Sequence, residues 1–426
     1  MGGMVRSGMG GNGAESQATP TGMAGRIENV VTRRQLLYAS AGLGLGALVG
    51  CSPDNSAPEN TTPPSGSTSP SATSAAPPST ATPSTSASSA GSTTPTPSPS
   101  ATGVPKPKLG DVIADDFDVP WGLIFLANGD ALVSERNSAK IIRVTPKGKK
   151  TTLGTVSGVV PPTGIGEGGL LGIATAPGDE ETLFVYYTSS SDNRVARVSL
   201  RGGKVGKPTA VLTDIPTSTH HHGGRLLFDA DGMLFVSTGD AEQSALAQDR
   251  DSLAGKILRI RPGGRAAPNN PYDNRTWSYG HRNIEGLAFD ADGRLWATEF
   301  GEKQADELNL IAKGKNYGWP EVEGTSSNDA FVSPKVTWEP TSTCSPAGLA
   351  ITRSTAFVAA LQGRCLFAVP LDGTKAGKPK AHFADDLGRI RNAAVAPDGS
   401  LWMTTSNTDG RIDPGKNDDK IVRVTL

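Results

Sequence analysis

The chain has 426 residues and a formal net charge of −1, too small to draw in nucleic acid or an anionic membrane through an overall field. Its 52 Gly and only 11 Phe suit many short strands and tight turns and argue against long packed helices. Length alone allows two or three domains, but internal repetition points to one folded domain behind a leader and a linker.

Arg33-Arg34 precedes an apolar, Gly- and Ala-rich run from Leu36 that ends Leu48-Val49-Gly50-Cys51. A basic pair, a short apolar stretch and a small residue before Cys form an export signal, and the run is short for a membrane span. The twin arginines suggest the Tat route. Leu-x-Gly-Cys resembles the lipobox of bacterial lipoproteins, which implies cleavage before Cys51 and a lipid anchor on it. Residues 1–51 are therefore read as leader, and the protein is expected on the outer side of the cell membrane. Residues 52–108 are almost entirely Ser, Thr, Pro, Ala and Gly without apolar periodicity. Such a stretch cannot bury a core and is expected to be an extended, disordered tether.

Residues 109–426 repeat one phrase. Gly286 to Glu299 reads as a short apolar strand, an Asp-x-Asp-Gly turn and a second alternating strand, which is a β-hairpin. Related phrases run from Gly122, Leu171, Gly224, Gly348 and Asn392, making six. The apolar residues after the turns, Leu132, Leu183, Leu234, Leu295, Phe357 and Leu401, recur at intervals of roughly 40–60 residues, the length of a propeller blade with insertions. A third strand follows each hairpin, as in Ile142-Arg143-Val144 and Val422-Arg423-Val424. Lys108 to Phe117 resembles an outer-strand segment such as Ala210 to Ile215. Giving it to the last blade removes an open sheet edge. The fold expected is all-β, a six-bladed β-propeller closed by an N-terminal strand.

In a propeller, the segments leading into the innermost strands meet at one mouth of the channel. Here they begin at Asp118, Gly166, His220, Gly280, Cys344 and Gly388. They bring four of the five histidines together with Arg225, Arg282, Arg389 and Arg391. Guanidinium groups gather where an anionic ligand is gripped, and a histidine among them is a candidate general base. Arg225 enters a strand directly and is read as structural. The run His220-His221-His222 is a poor metal site, because neighbours in an extended segment point to opposite sides. Cys344 and Cys365 flank one blade, and a disulfide between them is expected in an exported protein; two buried thiols is the other possibility.

These residues resemble the quinoprotein glucose/sorbosone dehydrogenases, soluble aldose dehydrogenases that use pyrroloquinoline quinone (PQQ) and calcium on a six-bladed propeller. The resemblance spans about Asp118 to Val424. It is carried by Val119-Pro-Trp-Gly, Gly166-Glu-Gly-Gly-Leu-Leu, His221-His-Gly-Gly-Arg-Leu, Gly280-His-Arg-Asn, Asp306-Glu-Leu-Asn, Asn316-Tyr-Gly-Trp-Pro and Gly388-Arg-Ile-Arg, in order. It implies that His221 takes the proton of the sugar C1 hydroxyl and that Arg282 polarises the quinone carbonyl that receives hydride. Asn283, Arg389 and Arg391 would hold the cofactor. Backbone carbonyls of Gly301 and Glu302 would bind its calcium, and Glu307 and Tyr317 lie where the family has a second calcium.

Several positions depart from the family pattern. Glu167 stands where Gln is usual, Glu285 replaces a Gln and Glu302 a Pro. His220 replaces an Asp, and Gln362 sits where a basic residue usually holds the cofactor. These changes touch cofactor contacts and leave the fold alone. The reading is a PQQ- and calcium-dependent aldose dehydrogenase that makes lactones and passes electrons to an unidentified acceptor. The alternatives are a non-catalytic propeller that binds cell-wall glycan or a protein partner and, ranked last, a calcium-dependent lactonase.

Overall fold

The computed structural model describes residues 103–426; the expected leader and all but the end of the linker lie outside them. Six antiparallel sheets follow one another along the chain, each begun by an inner strand. The inner strands are Pro120–Phe125, Leu170–Ala176, Gly223–Phe228, Ile284–Phe289, Pro346–Thr352 and Ile390–Val395. Each packs beside the next, and the sixth packs beside the first. The expected six-bladed propeller is therefore what forms. Helix among the described residues is limited to three 3-10 turns, Arg201–Gly203, Ser244–Ala247 and Thr341–Thr343, and no helix there is long and apolar enough to cross a membrane.

The hairpins form for the reason their turns imply. At Asp290 to Arg294 the Asp290 amide donates to Arg294 O at 3.0 Å and Gly293 adopts φ 76, a left-handed position that Gly takes without strain. Closure is as expected. Lys108–Ala114 pairs antiparallel with Ile421–Thr425, with Lys108 opposite Thr425, so the sixth sheet gains its outer strand from the front of the domain.

Alternate strand residues point between the blades, and the apolar core is a set of seams rather than one centre. Leu132 and Ile141 meet Leu170 and Val185 across the first seam. Phe117, Val133, Trp402 and Ile421 close the last, where Phe125 meets Trp402 edge-on at 5.0 Å. The inner strands approach closely enough to demand glycine. A Cβ on Gly172 would fall 2.1 Å from Gly224 O, and one on Gly348 2.0 Å from Asn392 Oδ1. Every inner strand also carries a bulge near its start, which re-aims side chains at the mouth.

One expectation is corrected. Cys344 and Cys365 are both free thiols, not a disulfide. Both side chains are buried in the apolar seam that also holds Trp338, Leu349 and Val358, where they act as small apolar groups.

Candidate active site

At the mouth the three histidines part company. His220 turns its Nδ1 to Glu242 Oε1 at 3.2 Å. His222 is buried, with Nδ1 3.0 Å from Asn193 Oδ1, and burial lowers its pKa. His221 holds a left-handed backbone (φ 60) and places Nδ1 2.7 Å from Asp240 Oδ1. Asp240 is buried, and its Oδ2 accepts the indole N–H of Trp319 at 2.8 Å. A carboxylate against Nδ1 fixes the proton there and leaves Nε2 free to accept one, the arrangement a general base requires. His221, Asp240, Arg282, Glu302 and Trp319 line one cleft of about 590 Å³.

Arg282 faces the same cleft with its guanidinium carbon 5.5 Å from the Trp319 ring centre. Its backbone is fixed from both sides: its amide donates to Glu299 Oε1 at 2.5 Å and its carbonyl accepts the Asp240 amide at 2.8 Å. Asn283 is buried, and its Oδ1 accepts the Gly223 amide at 2.9 Å, tying the third blade to the fourth.

Further in, cations and carboxylates interleave. Arg389 is buried, its Nε 2.9 Å from Asp409 Oδ2. Arg391 is buried and paired with Glu285. Arg225 lies over Trp121 at 4.2 Å and donates to Glu285 O at 2.8 Å, the structural role its position suggests; burial lowers it to about 9. Arg136 is buried and lowered to about 10 by burial and by Arg391. Glu167 accepts the His221 amide at 3.0 Å and Arg411 Nη2 at 3.2 Å. Burial works against its charge, yet that amide and Arg411 outweigh it and hold the carboxyl below its usual range. Glu285 moves the other way, raised by burial.

Against this background several donors have no protein partner. They are Nη1 of Arg136, Nη2 of Arg225, Nε of Arg282, Nδ2 of Asn283 and Nε of Arg391, all shielded from solvent. Leaving a buried donor unmade is costly. Most of these nitrogens belong to the residues expected to grip an anion.

Gly301, Glu307 and Tyr317 come together with Arg282 and Glu299 around a small pocket. Glu307 accepts the Gly324 amide and Asn309 Nδ2, each at 2.8 Å, and burial together with Glu299 pushes it up to about 8. The Tyr317 hydroxyl is committed elsewhere, donating to Leu310 O at 2.7 Å and accepting the Ala312 amide, while its ring stacks on His281. Among the described residues no group of three or more His, Cys, Asp or Glu side chains assembles as a metal cage. Gln362 is not drawn in; it stands exposed on the turn before Cys365.

Sequence reading missed Asp240, Trp319, Arg136, Asp409 and Arg411. Three of them share a signal. Arg136 and Asp240 stand one and two residues beyond the second strands Ala131–Glu135 and Leu234–Thr238, and Asp409 lies in the loop after Leu401–Thr405. The far end of an antiparallel second strand lies beside the near end of the first, so these residues reach the same mouth.

Known proteins bear on this arrangement. The profile of the family described as Glucose / Sorbosone dehydrogenase matches residues 117–413. The PQQ-bound form of aldose sugar dehydrogenase from Streptomyces coelicolor superposes with a TM-score of 0.72 at 44% identity, covering 76% of this chain and 99% of that one. Aldose sugar dehydrogenase YliI of Escherichia coli is 29% identical over 339 residues, 71% of this chain and 91% of that protein. Quinoprotein glucose dehydrogenase B of Acinetobacter calcoaceticus is 29% identical over 258 residues, 52% and 54% of the two chains. This propeller, with His221 beside Asp240 and arginines gathered at its mouth, belongs to the glucose/sorbosone dehydrogenase family of oxidoreductases.

Proposed function

We propose that this protein oxidises aldoses at C1 to lactones, using PQQ and calcium, outside the cytoplasm. The observation that carries the reading is the His221–Asp240 pair opening onto the cleft beside Arg282. The residues present fit the cofactor, because PQQ is a planar tricarboxylate with further quinone oxygens. Such a ligand would satisfy the unpartnered donors of Arg136, Arg282, Asn283 and Arg391. Glu167 does not oppose it, since Arg411 and the His221 amide already answer that charge. When bound, the quinone supplies the two-electron acceptor for the reaction.

The chain does the rest. Asp240 keeps the His221 proton on Nδ1, so Nε2 is the atom that removes the proton of the C1 hydroxyl. Arg282, held from both sides of its backbone, keeps a cation where negative charge develops on an acceptor oxygen. The Gly301 and Glu302 carbonyls offer the oxygen donors a hard cation takes. Glu307, buried and bonded only to an amide and to Asn309, offers a carboxylate for a second cation. The Arg33-Arg34 pair and the Leu48 to Cys51 box support export and lipid anchoring at Cys51.

The test is titration of PQQ with calcium into protein lacking residues 1–104, followed by dye reduction with a panel of aldoses. Saturable binding with sugar-dependent reduction is expected, and His221→Ala should abolish turnover while keeping cofactor binding. Absence of binding at micromolar quinone refutes the reading and favours a propeller that binds glycan or protein without catalysis.

A further inference from the structure

One part of the wall of the cleft that His221 lines is a segment with no apolar anchor. Glu302, Lys303 and Gln304 are exposed, and only at Ala305 does the chain return to the core. Yet Glu302 and Gln304 line the same cleft as His221, Asp240, Arg282 and Trp319. One atom holds the segment in place. Glu323 Oε1 accepts the amides of Glu302, Lys303, Gln304 and Ala305 at 2.7, 2.9, 2.7 and 3.1 Å. The preceding amide, Gly301, goes to Asp306 Oδ1 at 3.0 Å, and Asp306 Oδ2 takes the Ser345 amide at 2.6 Å. Five successive amides are therefore turned onto two carboxylates, the concave arrangement of N–H groups that elsewhere binds an anion. The wrap is tight: a Cβ on Gly301 would lie 2.5 Å from Glu323 Oε1 and 2.1 Å from Ala305 O.

We infer that Glu323 is a positioning residue, an internal anion around which residues 301–305 fold so that Glu302 and Gln304 present a fixed wall to the sugar. The inference rests on the dehydrogenase reading for the identity of the ligand, not for the clamp itself. Glu323 follows Trp319 by one short turn, and Trp319 bonds the carboxylate that orients His221. One stretch of chain thus sets both His221 and a wall of the cleft it lines, which fixes the sugar relative to the atom that takes its proton.

The experiment compares wild type, Glu323→Ala and Glu323→Gln by hydrogen exchange at amides 302–305 without sugar, by steady-state kinetics, and with added formate. In Glu323→Ala those amides should exchange at least about tenfold faster. With quinone and calcium saturating, so that the cation site of Gly301 and Glu302 stays filled, the sugar KM should rise about tenfold with kcat held within about threefold. Formate, filling the vacated nest, should partly restore exchange protection and KM, a response that general loss of structure does not give. Glu323→Gln keeps the shape but not the charge and should fall between the two, which covers the case that the Ala variant fails to fold. Unchanged exchange, absence of formate rescue, or an unchanged KM would overturn the inference. If the wild type oxidised no aldose, the dehydrogenase reading would fail on its own, and exchange with formate rescue would still decide the clamp.

Discussion

Replacing Asp240 by Asn changes one atom's chemistry and leaves its volume. Asp240 receives three N–H groups: Nδ1–H of His221 at 2.7 Å and the Glu242 amide at 2.9 Å on Oδ1, and Nε1–H of Trp319 at 2.8 Å on Oδ2. An amide has one acceptor oxygen, so its NH2 must face either Trp319 or the His221 and Glu242 donors. Indole and backbone N–H can only donate, so in either orientation one of them loses its acceptor. Where the NH2 faces His221, the imidazole yields by moving its proton to Nε2, which removes the base. In the other orientation the imidazolium formed in the reaction loses the carboxylate charge that stabilises it. A base locked in the wrong tautomer lowers kcat by roughly 10²–10⁴, or about 3–5 kcal/mol of transition-state stabilisation. The sugar KM and the quinone affinity should hardly move, because neither cleft nor floor loses a contact. The assay is dye reduction at saturating quinone and aldose, with a parallel quinone titration. An Asp240→Asn variant retaining more than about one third of wild-type kcat would refute the assignment of Nε2 as base.

Other outcomes follow from buried charge. Lys256 is fully buried, its Nζ donating to Leu246 O, Ala247 O and Ala254 O, and burial lowers it to about 7. The unfolded chain then binds the extra proton between about pH 7 and 10.5, so stability from this group rises with pH across that window, by at most about 1.4 kcal/mol per unit. It is complete above the unfolded value and lost as pH falls through the folded one. Lys256→Met should flatten that slope in chemical denaturation and cost about 3 kcal/mol by stranding three carbonyls. Arg391→Met should weaken quinone binding some 10- to 100-fold and destabilise the fold by about 3–5 kcal/mol, because Glu285 is left buried without its partner. Adding Glu285→Gln should restore the melting temperature and not the affinity. Cys344 and Cys365 are buried, and burial pushes the Cys365 thiol up to about 12. Both should resist thiol reagents at pH 8 and react once the protein is unfolded in guanidinium; silence after unfolding would mean a disulfide.

The fold was legible because each blade repeats a local device. The Asp-x-Asp-Gly turns and apolar alternation mark the hairpins wherever they fall, and the edge left by the final repeat calls for Lys108–Ala114. The mouth was legible only along first strands. His221, Arg282, Arg389 and Arg391 precede or open inner strands and were found; Arg136, Asp240 and Asp409 stand past second strands, where a single Asp or Arg resembles any loop residue. Partner choice was not legible at all. Arg389 and Arg391 stand two apart, but the bulge between Ile390 and Asn392 intervenes and they pair with Asp409 and Glu285 respectively. The cysteines misled because spacing around a blade does not say whether two thiols face each other or the seam.

Fastening the ring with its own first strand shapes how the domain is made. Asp115 and Asn417, 302 residues apart, share a hydrogen bond beside the pairing of Lys108 with Thr425. Each hairpin can form from neighbours in sequence, but this clasp must wait for the last strand to be synthesised, and bringing such distant ends together costs about 5 kcal/mol in chain entropy. Until then Lys108–Ala114 has no partner strand, and the sixth sheet lacks both Ile421–Thr425 and the strand beyond it. Unpaired strand edges of that kind invite association with other chains. Topologies that depend on distant contacts also fold slowly. Completion of the ring is one late event rather than the sum of six early ones.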